Sequence, residues 1–181
     1  MKARWLTLAL ALVSPLASAA DWELSADGAH VIDVRARLAW PRCVEGMTWN
    51  GSTCLGQPQM LDHGQAQNLA TTRWKAENVR WRLPTSHELQ RLVNRQTQPP
   101  GLDAGLFPGA PAGWHWSGSS TVNTAPVNPY NYGNVMQGRT EDNTNRLDFL
   151  RGWAVNLSTG EAAGDVNRRS RLPVRLVRPA F

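Results

Sequence analysis

The stretch of residues 81–89, with the sequence WRLPTSHEL, constrains the fold of this chain more than any other. Its first three residues alternate as in a strand, and Pro84 holds the residue before it in an extended conformation. Thr85 stands three residues before Glu88, which is the spacing of a capping box at the start of a helix. The stretch therefore predicts a strand that ends at Pro84 and a helix over residues 86–95.

Similar signals predict one more helix, and strands near both ends of the chain. Asp62 and Gln65 have capping-box spacing, so a helix is expected to follow Asp62. Residues 32–40 alternate between apolar and polar and predict one half-buried strand. Two later strands are predicted over residues 152–157 and 174–178. The first helix has an apolar stripe formed by Ala66, Leu69, Ala70 and Trp74.

A long stretch rich in Pro, Gly, Asn and Ser separates these elements. It spans residues 102–146, and such irregular segments in compact domains are commonly functional. The elements predict an α+β fold of two helices and short antiparallel sheets around a long loop insert. We expect residues 21–30 to form an N-terminal lead-in and residues 31–181 to form a single domain, whose size is typical of one core.

The N-terminus has the pattern of a secretory signal peptide. Lys2 and Arg4 precede a short apolar run, which small residues follow. This pattern predicts a signal peptide over residues 1–20, cleaved after Ala19 or Ala20. The apolar run is too short to cross a bilayer, so we expect no membrane span. The mature protein is predicted to be periplasmic, extracellular or attached to the cell surface.

The net charge is modest once the signal peptide is removed. The whole chain has 19 basic and 14 acidic residues, and loss of Lys2 and Arg4 leaves 17 basic residues and a charge of +3. Such an excess does not require a polyanionic partner. No nucleic-acid-binding motif occurs, so no nucleic-acid partner is expected.

Cys43 and Cys54 are the only cysteines in the chain. In an exported protein, two cysteines predict one disulfide. Asn50 and Gly51 lie between them and are a frequent hairpin turn pair, so we predict a small hairpin closed by the disulfide. A redox pair or a metal site is the alternative, but the spacing matches neither a C-x-x-C pair nor a zinc motif.

Several short sequence motifs, taken in their order along the chain, resemble the Lcl C-terminal domain family of exported bacterial domains. The resemblance implies a C-type-lectin-like fold, in which the first and last strands pair and a long loop carries the ligand surface. It also implies adhesion as a function, since the family includes adhesins that bind sulfated glycans. The resemblance is carried by the cysteine hairpin and by residues 31–33, 38–40, 81–85, 88–89, 116–117, 153–155 and 174–178.

Aromatic residues in the irregular stretch are candidate ligand contacts. Aromatic faces stack on the CH groups of sugars and provide contact area with few rotatable bonds. Tyr130 and Tyr132 are the exposed candidates, and Trp114 is a third. The alternative for the tryptophans is a place in the core, which we expect for Trp116.

Arginines near the C-terminus suggest a site for anionic ligands. Arg168, Arg169 and Arg171 precede the predicted last strand, and Arg175 and Arg178 lie within it. Arginine binds sulfate, phosphate and carboxylate groups with two parallel hydrogen bonds. The alternative is ordinary ion pairing on a solvated surface.

Oxygen-bearing side chains cluster late in the irregular stretch. Asp142, Asn143, Asn145 and Asp148 are the ligand types that calcium prefers, although a calcium site wants six or more oxygens. A solvated polar loop is the alternative, because Asp and Asn are also common in turns. We expect no other cofactor.

The sequence does not predict an enzyme. Its four histidines are scattered without the spacing of metal ligands. Residues 82–88 also resemble formylglycine-generating enzymes, but their chemistry needs unpaired cysteines. We therefore predict an exported, non-catalytic binding or adhesion domain for an anionic glycan or a protein partner. The alternatives are a homo-oligomeric or accessory subunit of a surface assembly, such as a pilus or a phage-related tip, and a periplasmic enzyme of the formylglycine-generating type.

Overall fold

The computed structural model describes residues 21–120, 136 and 150–181, so the predicted signal peptide lies outside the described residues. The predicted α+β fold is confirmed: the described residues form two helices and short antiparallel strands. The helices are α1 (His63–Glu77) and α2 (Ser86–Leu92). The strands are β1 (Trp22–Leu24), β2 (His30–Asp33), β3 (Leu38–Pro41), β4 (Met47–Trp49), β5 (Cys54–Gly56), β6 (Met60–Leu61), β7 (Val93–Asn94), β8 (Gly101–Leu102), β9 (Trp114–Trp116), β10 (Arg151–Asn156), β11 (Ala162–Asn167), β12 (Leu172–Pro173) and β13 (Arg178–Pro179).

The two ends of the described chain meet in a four-stranded sheet. Its strand order is β1-β2-β3-β13. Strand β13 runs antiparallel to β3, with Arg178 opposite Ala39. The last strand therefore pairs with β3, which is part of the first strand predicted (residues 32–40), and not with the first observed strand, β1. Strand β1 falls within the stretch predicted as a lead-in and pairs with β2, where Glu23 lies opposite Ile32.

The single strand predicted over residues 32–40 is wrong, because a tight turn divides it into β2 and β3. The Oδ1 atom of Asp33 accepts a hydrogen bond from the main-chain N of Ala36 at 2.8 Å. Arg37 has a left-handed backbone with a φ of 55°. This local bond reverses the chain. As a result β2 buries Val31 and Asp33, which is the face opposite to the predicted one.

Both helices begin where their capping boxes predicted. The side chain of Asp62 accepts a hydrogen bond from the N of Gln65 at 2.8 Å. Thr85 Oγ1 accepts one from the N of Glu88 at 3.3 Å. Each acceptor satisfies one of the main-chain N–H groups that a helix leaves unpaired at its start.

Other details of the helical region differ from the predictions. Helix α2 ends earlier than residue 95, because the chain passes directly into β7, which pairs with β8. The stretch before Pro84 forms one isolated bridge, Arg82 with Val177, instead of a strand. Trp74 was placed on the apolar stripe of α1, but its side chain is exposed beside Arg80.

A three-stranded sheet carries the insert. Its strand order is β11-β10-β9, with Ala154 of β10 opposite Trp116 of β9. Strand β9 lies inside the stretch predicted to be irregular, so that prediction was too wide. The strand predicted over residues 174–178 was also wrong: β12 ends at Pro173, before this stretch, and β13 begins at Arg178, the last residue of the stretch. Strand β12 pairs with β6, whereas β13 pairs with β3.

Two hydrophobic clusters lie on either side of β10. Val155 belongs to the first, with Trp40, Leu89 and Phe107. Ala154 belongs to the second, with Trp81, Leu83 and the fully buried Trp116, whose burial was predicted. Successive side chains of a strand point to opposite faces, so β10 contributes to both clusters. Burial of each large apolar side chain contributes about 2 kcal/mol, which holds the end of β9 and the start of β10 firmly in place.

Candidate ligand-binding face at the base of the insert

The insert leaves and rejoins the fold at one edge of the β11-β10-β9 sheet. The chain departs from β9 at Ser117, whose main-chain N donates to the carbonyl of Trp153 at 2.9 Å. It re-enters at Arg151, the first residue of β10. We call residues 117–120 and 150–152 the insert base. Because its two halves belong to neighbouring strands, the position of the insert is set by the sheet.

A network of hydroxyl groups fixes the departing half of the insert base to α2. Ser117 Oγ donates to the carbonyl of Pro84 at 3.1 Å and accepts from Ser86 Oγ at 3.1 Å. Ser119 Oγ accepts from the N of Ser86 at 2.9 Å. The N of Gly118 also donates to the carbonyl of Pro84, at 2.7 Å. The start of α2 and the insert base therefore share one hydrogen-bonded unit.

His63, the first residue of α1, fixes the same segment from the other side. Its Nε2 lies 3.2 Å from the main-chain oxygen of Ser117, and its ring meets the edge of Trp116 at 5.1 Å. A carbonyl only accepts hydrogen bonds, so Nε2 carries the hydrogen. Burial lowers the pKa of His63, and the bond to Ser117 offsets this only in part.

Arg168 fixes the returning half. Its Nε donates to the carbonyl of Arg151 at 2.7 Å. Its main-chain N donates to the carbonyl of Leu150 at 2.9 Å, and its own carbonyl accepts from the N of His63 at 3.0 Å. Arg168 therefore joins β10, β11 and α1 at one point.

Gly152 allows these groups to come together. A Cβ atom at this position would lie 3.2 Å from His63 Cδ2, 3.2 Å from Trp116 Cζ3 and 3.4 Å from Arg168 Cγ. Such contacts are tighter than ordinary packing. The absence of a side chain therefore permits the close approach of α1 and β9 to the insert base.

Two arginines lie at the insert base and two more follow in the adjoining turn, and we call these four the basic face. Arg151 lies opposite Asn167, the residue immediately before Arg168. Arg168, Arg169 and Arg171 follow in the turn between β11 and β12. Arg151, Arg169 and Arg171 are exposed, and Arg168 is half-buried. The three arginines predicted to bind an anion thus lie in one turn, and Arg151, which was missed in the sequence analysis, contacts the first of them.

Other predicted contacts lie elsewhere. Trp114 sits at the end of β9 away from the insert base, opposite Asn156, and packs half-buried against the second cluster. The remaining candidates, Tyr130, Tyr132, Asp142, Asn143, Asn145 and Asp148, lie outside the described residues. Over residues 21–120 and 150–181, no three His, Cys, Asp or Glu side chains are grouped as a metal site would require.

Arg175 cannot join a surface patch, although the sequence grouped it with the other arginines. It is fully buried, and its Nη1 donates to the carbonyls of Pro41 at 2.5 Å and Arg42 at 3.2 Å. Its Cζ lies 4.7 Å from the Phe107 ring centroid. Burial lowers the pKa of Arg175 to about 10, and the charge of Glu45 acts in the opposite direction. The apolar neighbours of Arg175 in the sequence were the available signal.

At the insert base, the described side chains do not form a pair of a nucleophile and a general base. The Ser117 hydroxyl donates to a carbonyl, and His63 contacts the main-chain oxygen of Ser117 instead of that hydroxyl. The predicted disulfide is confirmed: Cys43 and Cys54 are bonded, with Cα atoms 5.5 Å apart, and neither cysteine is a thiol. The hairpin β4–β5 that it closes has a four-residue loop starting at Asn50, longer than the predicted two-residue turn.

The fold and the site define an α+β domain with paired early and late strands and an insertion framed by arginines. The sequence matches the model of the Lcl C-terminal domain over residues 29–178, and the chain belongs to this family. No curated protein matches the chain. The disulfide and the family both indicate an exported protein. Within the described ranges, neither helix has the length and apolar character needed to cross a bilayer.

Proposed function

We propose that this protein is an exported, non-catalytic binding domain whose basic face holds an anionic ligand, namely a sulfated or carboxylated glycan. The proposal rests on one observation: Arg151 and Arg168 meet at the fixed point where the insert joins the sheet, and Arg169 and Arg171 lie in the same turn as Arg168. Cleavage of residues 1–20 by a signal peptidase is part of the same proposal. The proposal also includes a C-type-lectin-like binding mode, in which the inserted segment makes further contacts with the ligand.

The anchoring of the insert base supports a binding role. Hydrogen bonds from Ser117, His63 and Arg168 hold both halves of the base before any ligand arrives. A site that is already ordered loses less conformational entropy when it binds, so more of the interaction energy appears as affinity. The insert can differ in sequence while its two ends remain fixed by these contacts.

The side chains of the basic face suit an anion. Each guanidinium presents several N–H donors in a plane, which matches the oxygens of a sulfate or carboxylate. The start of α1 adds a partial positive charge, because the N-terminal end of a helix carries the positive end of its dipole. Its first N–H group already donates to the carbonyl of Arg168, so α1 points at this face.

Two observations support the non-catalytic part of the proposal. The disulfide occupies both cysteines that formylglycine chemistry would need as thiols. The hydroxyl of Ser117 donates to the carbonyl of Pro84, and among the described residues no base accepts from it. Both groups have structural roles that catalysis would disturb.

A binding measurement with a matched pair of variants tests the proposal. We expect the protein to bind a heparin-type polysaccharide by calorimetry, with an affinity that falls steeply as salt rises. The double variant Arg169→Ala/Arg171→Ala should bind about tenfold more weakly, which corresponds to about 1.4 kcal/mol. The control Arg35→Ala/Arg80→Ala removes the same charge from exposed positions outside the basic face.

An equal loss in both double variants would show that only net charge matters and would reject the basic face as a site. No binding to any sulfated or carboxylated glycan would reject the ligand class. In that case, a complex with a protein, detected by native mass spectrometry, would favour the accessory-subunit alternative.

A further inference from the structure

We propose that His63 is a pH-sensitive latch on the insert base: neutral His63 holds the chain at Ser117, and protonated His63 releases it. The proposed function enters only in the consequence, which is weaker ligand binding in mildly acidic surroundings. The opening of the insert base is itself measurable without any ligand.

The neutral ring fits its surroundings closely. His63 is 2% exposed, and its Nε2–H donates to the carbonyl of Ser117. Its Nδ1 is buried and has no hydrogen-bond partner within the described residues. Trp116 covers one side of the ring, and Gly152 leaves just enough room on another. A neutral imidazole accommodates this arrangement, because Nδ1 then carries only a lone pair.

Protonation would place a hydrogen and a positive charge at Nδ1, where no group in the described part of the chain accepts them. A buried charged donor without a partner is costly, and opening of the site to water removes the cost. In the described residues, the charged groups that act on His63 are Arg168, which disfavours the proton, and Asp62, which favours it. The carboxylate of Asp62 already accepts from the N of Gln65, and β9 and β10 present only uncharged groups to the ring.

The direction of the effect follows from linkage. When the insert base is open, His63 is exposed to water and has its ordinary pKa of about 6.5. In the closed base burial lowers the pKa, so the closed form gains stability from this residue above pH 6.5 and loses it as the pH falls. One linked proton changes the opening equilibrium by up to about tenfold per pH unit, and by at most about tenfold in total between pH 7.5 and 5.5.

Hydrogen exchange on the ligand-free protein tests the latch. After correction for intrinsic rates, the amides of Ser117 and Gly118 should lose up to about tenfold in protection between pH 7.5 and 5.5. The amide of Arg82, which donates to Val177, serves as an internal reference and should not follow them. His63→Gln keeps an amide donor but cannot titrate. In this variant the protection of the Ser117 and Gly118 amides should therefore not depend on pH. His87→Gln, an exposed histidine in α2, should behave as the parent protein does.

The latch is rejected if the Ser117 and Gly118 amides show no pH response, or if His63→Gln responds as the parent does. If that variant does not fold, the parent protein still decides the matter by NMR. The titration of the His63 ring and the opening of the base must then share one midpoint, and separate midpoints would overturn the proposal. None of these readings depends on a glycan, so the basic face and the latch can fail separately.

Discussion

The guanidinium of Arg42 lies over the ring of Trp49, with its Cζ 4.1 Å from the ring centroid. The same guanidinium donates to the carbonyl of Leu106 at 2.8 Å, of Gly105 at 2.5 Å and of Gly28 at 3.3 Å. Arg42 is thus a buried cross-link between the disulfide hairpin, the turn after β1 and the segment after β8. Its fork of donors thus satisfies main-chain carbonyls from two segments that are far apart in the chain.

Replacement of Arg42 by Lys should destabilise the protein by about 1–3 kcal/mol, because an ammonium group cannot reach three carbonyls in fork geometry. The free energy of unfolding in urea measures the effect. Arg35→Lys is the matched control, since Arg35 is 70% exposed and pairs loosely with Asp21 at 3.6 Å. A loss at Arg42 no larger than at Arg35 would contradict the cross-link.

Removal of the disulfide should also be costly. Cys43 and Cys54 are separated by 11 positions, and closing such a loop stabilises a fold by about 3 kcal/mol in the chain-entropy model. Cys43→Ser/Cys54→Ser should therefore lower the free energy of unfolding by about that amount. Addition of a reducing agent to the parent protein should lower it equally and should leave the double variant unchanged. A response of the double variant to reductant would refute this explanation.

The features that the sequence predicted well depend on residues close together in the chain. The cap at Thr85 and its partner Glu88 are three residues apart, so the start of α2 is determined within one turn. The disulfide followed from having only two cysteines in an exported chain. Arg168, Arg169 and Arg171 form a short run, so their place in one turn was also visible in the sequence.

The features that the sequence did not predict depend on distant contacts. The alternation of residues 32–40 fits one strand equally well, and although the bond that closes the turn at Asp33 is local, the burial of Asp33 depends on Arg91, 58 positions away, which donates to it at 3.0 Å. The burial of Arg175 depends on the carbonyl of Pro41, 134 positions earlier. Arg151 reaches the basic face through the pairing of β10 with β11. No local pattern contains such information.

The ion pair between Arg82 and Glu88 should make part of the stability depend on pH. Arg82 donates to both carboxylate oxygens, at 2.8 and 2.7 Å, and the N of Thr85 donates at 2.8 Å. Burial alone would raise the pKa of Glu88, but these hydrogen bonds outweigh it and hold the pKa below its usual value. The stabilisation is therefore present at neutral pH and disappears as the pH falls through the lowered pKa.

Glu88→Gln should cost about 1 kcal/mol at pH 7, a modest value because Arg82 is 44% exposed and water screens the pair. At pH 3 the difference between the variant and the parent should shrink, because the unfolded parent binds a proton at Glu88 below about pH 4.3, whereas the lowered pKa of Glu88 opposes this proton in the folded parent. Urea unfolding at both pH values measures it. Glu23→Gln, at an exposed position of β1, should change stability little at either pH, and a constant cost of Glu88→Gln would contradict the assignment.

His115 should make the free energy of unfolding of the whole domain fall in acid. Its side chain is fully buried, and its Nδ1 lies 3.1 Å from the carbonyl of Gly113, so Nδ1 carries the hydrogen. Burial, and secondly the positive charge of Arg175, lower the pKa of His115 to about 4. An unfolded chain binds the proton near pH 6.5, so stability is full above that pH and declines as the pH falls towards 4.

The decline between pH 7.5 and 4.5 should amount to about 2–3 kcal/mol from this residue. His115→Asn cannot titrate, so its stability in urea, although lower at pH 7.5, should fall less on acidification than that of the parent. His87→Asn removes an exposed histidine and should retain the parent's response. An undiminished response in His115→Asn would mean that the folded protein protonates His115 as readily as the unfolded chain does, and it would contradict the lowered pKa of His115.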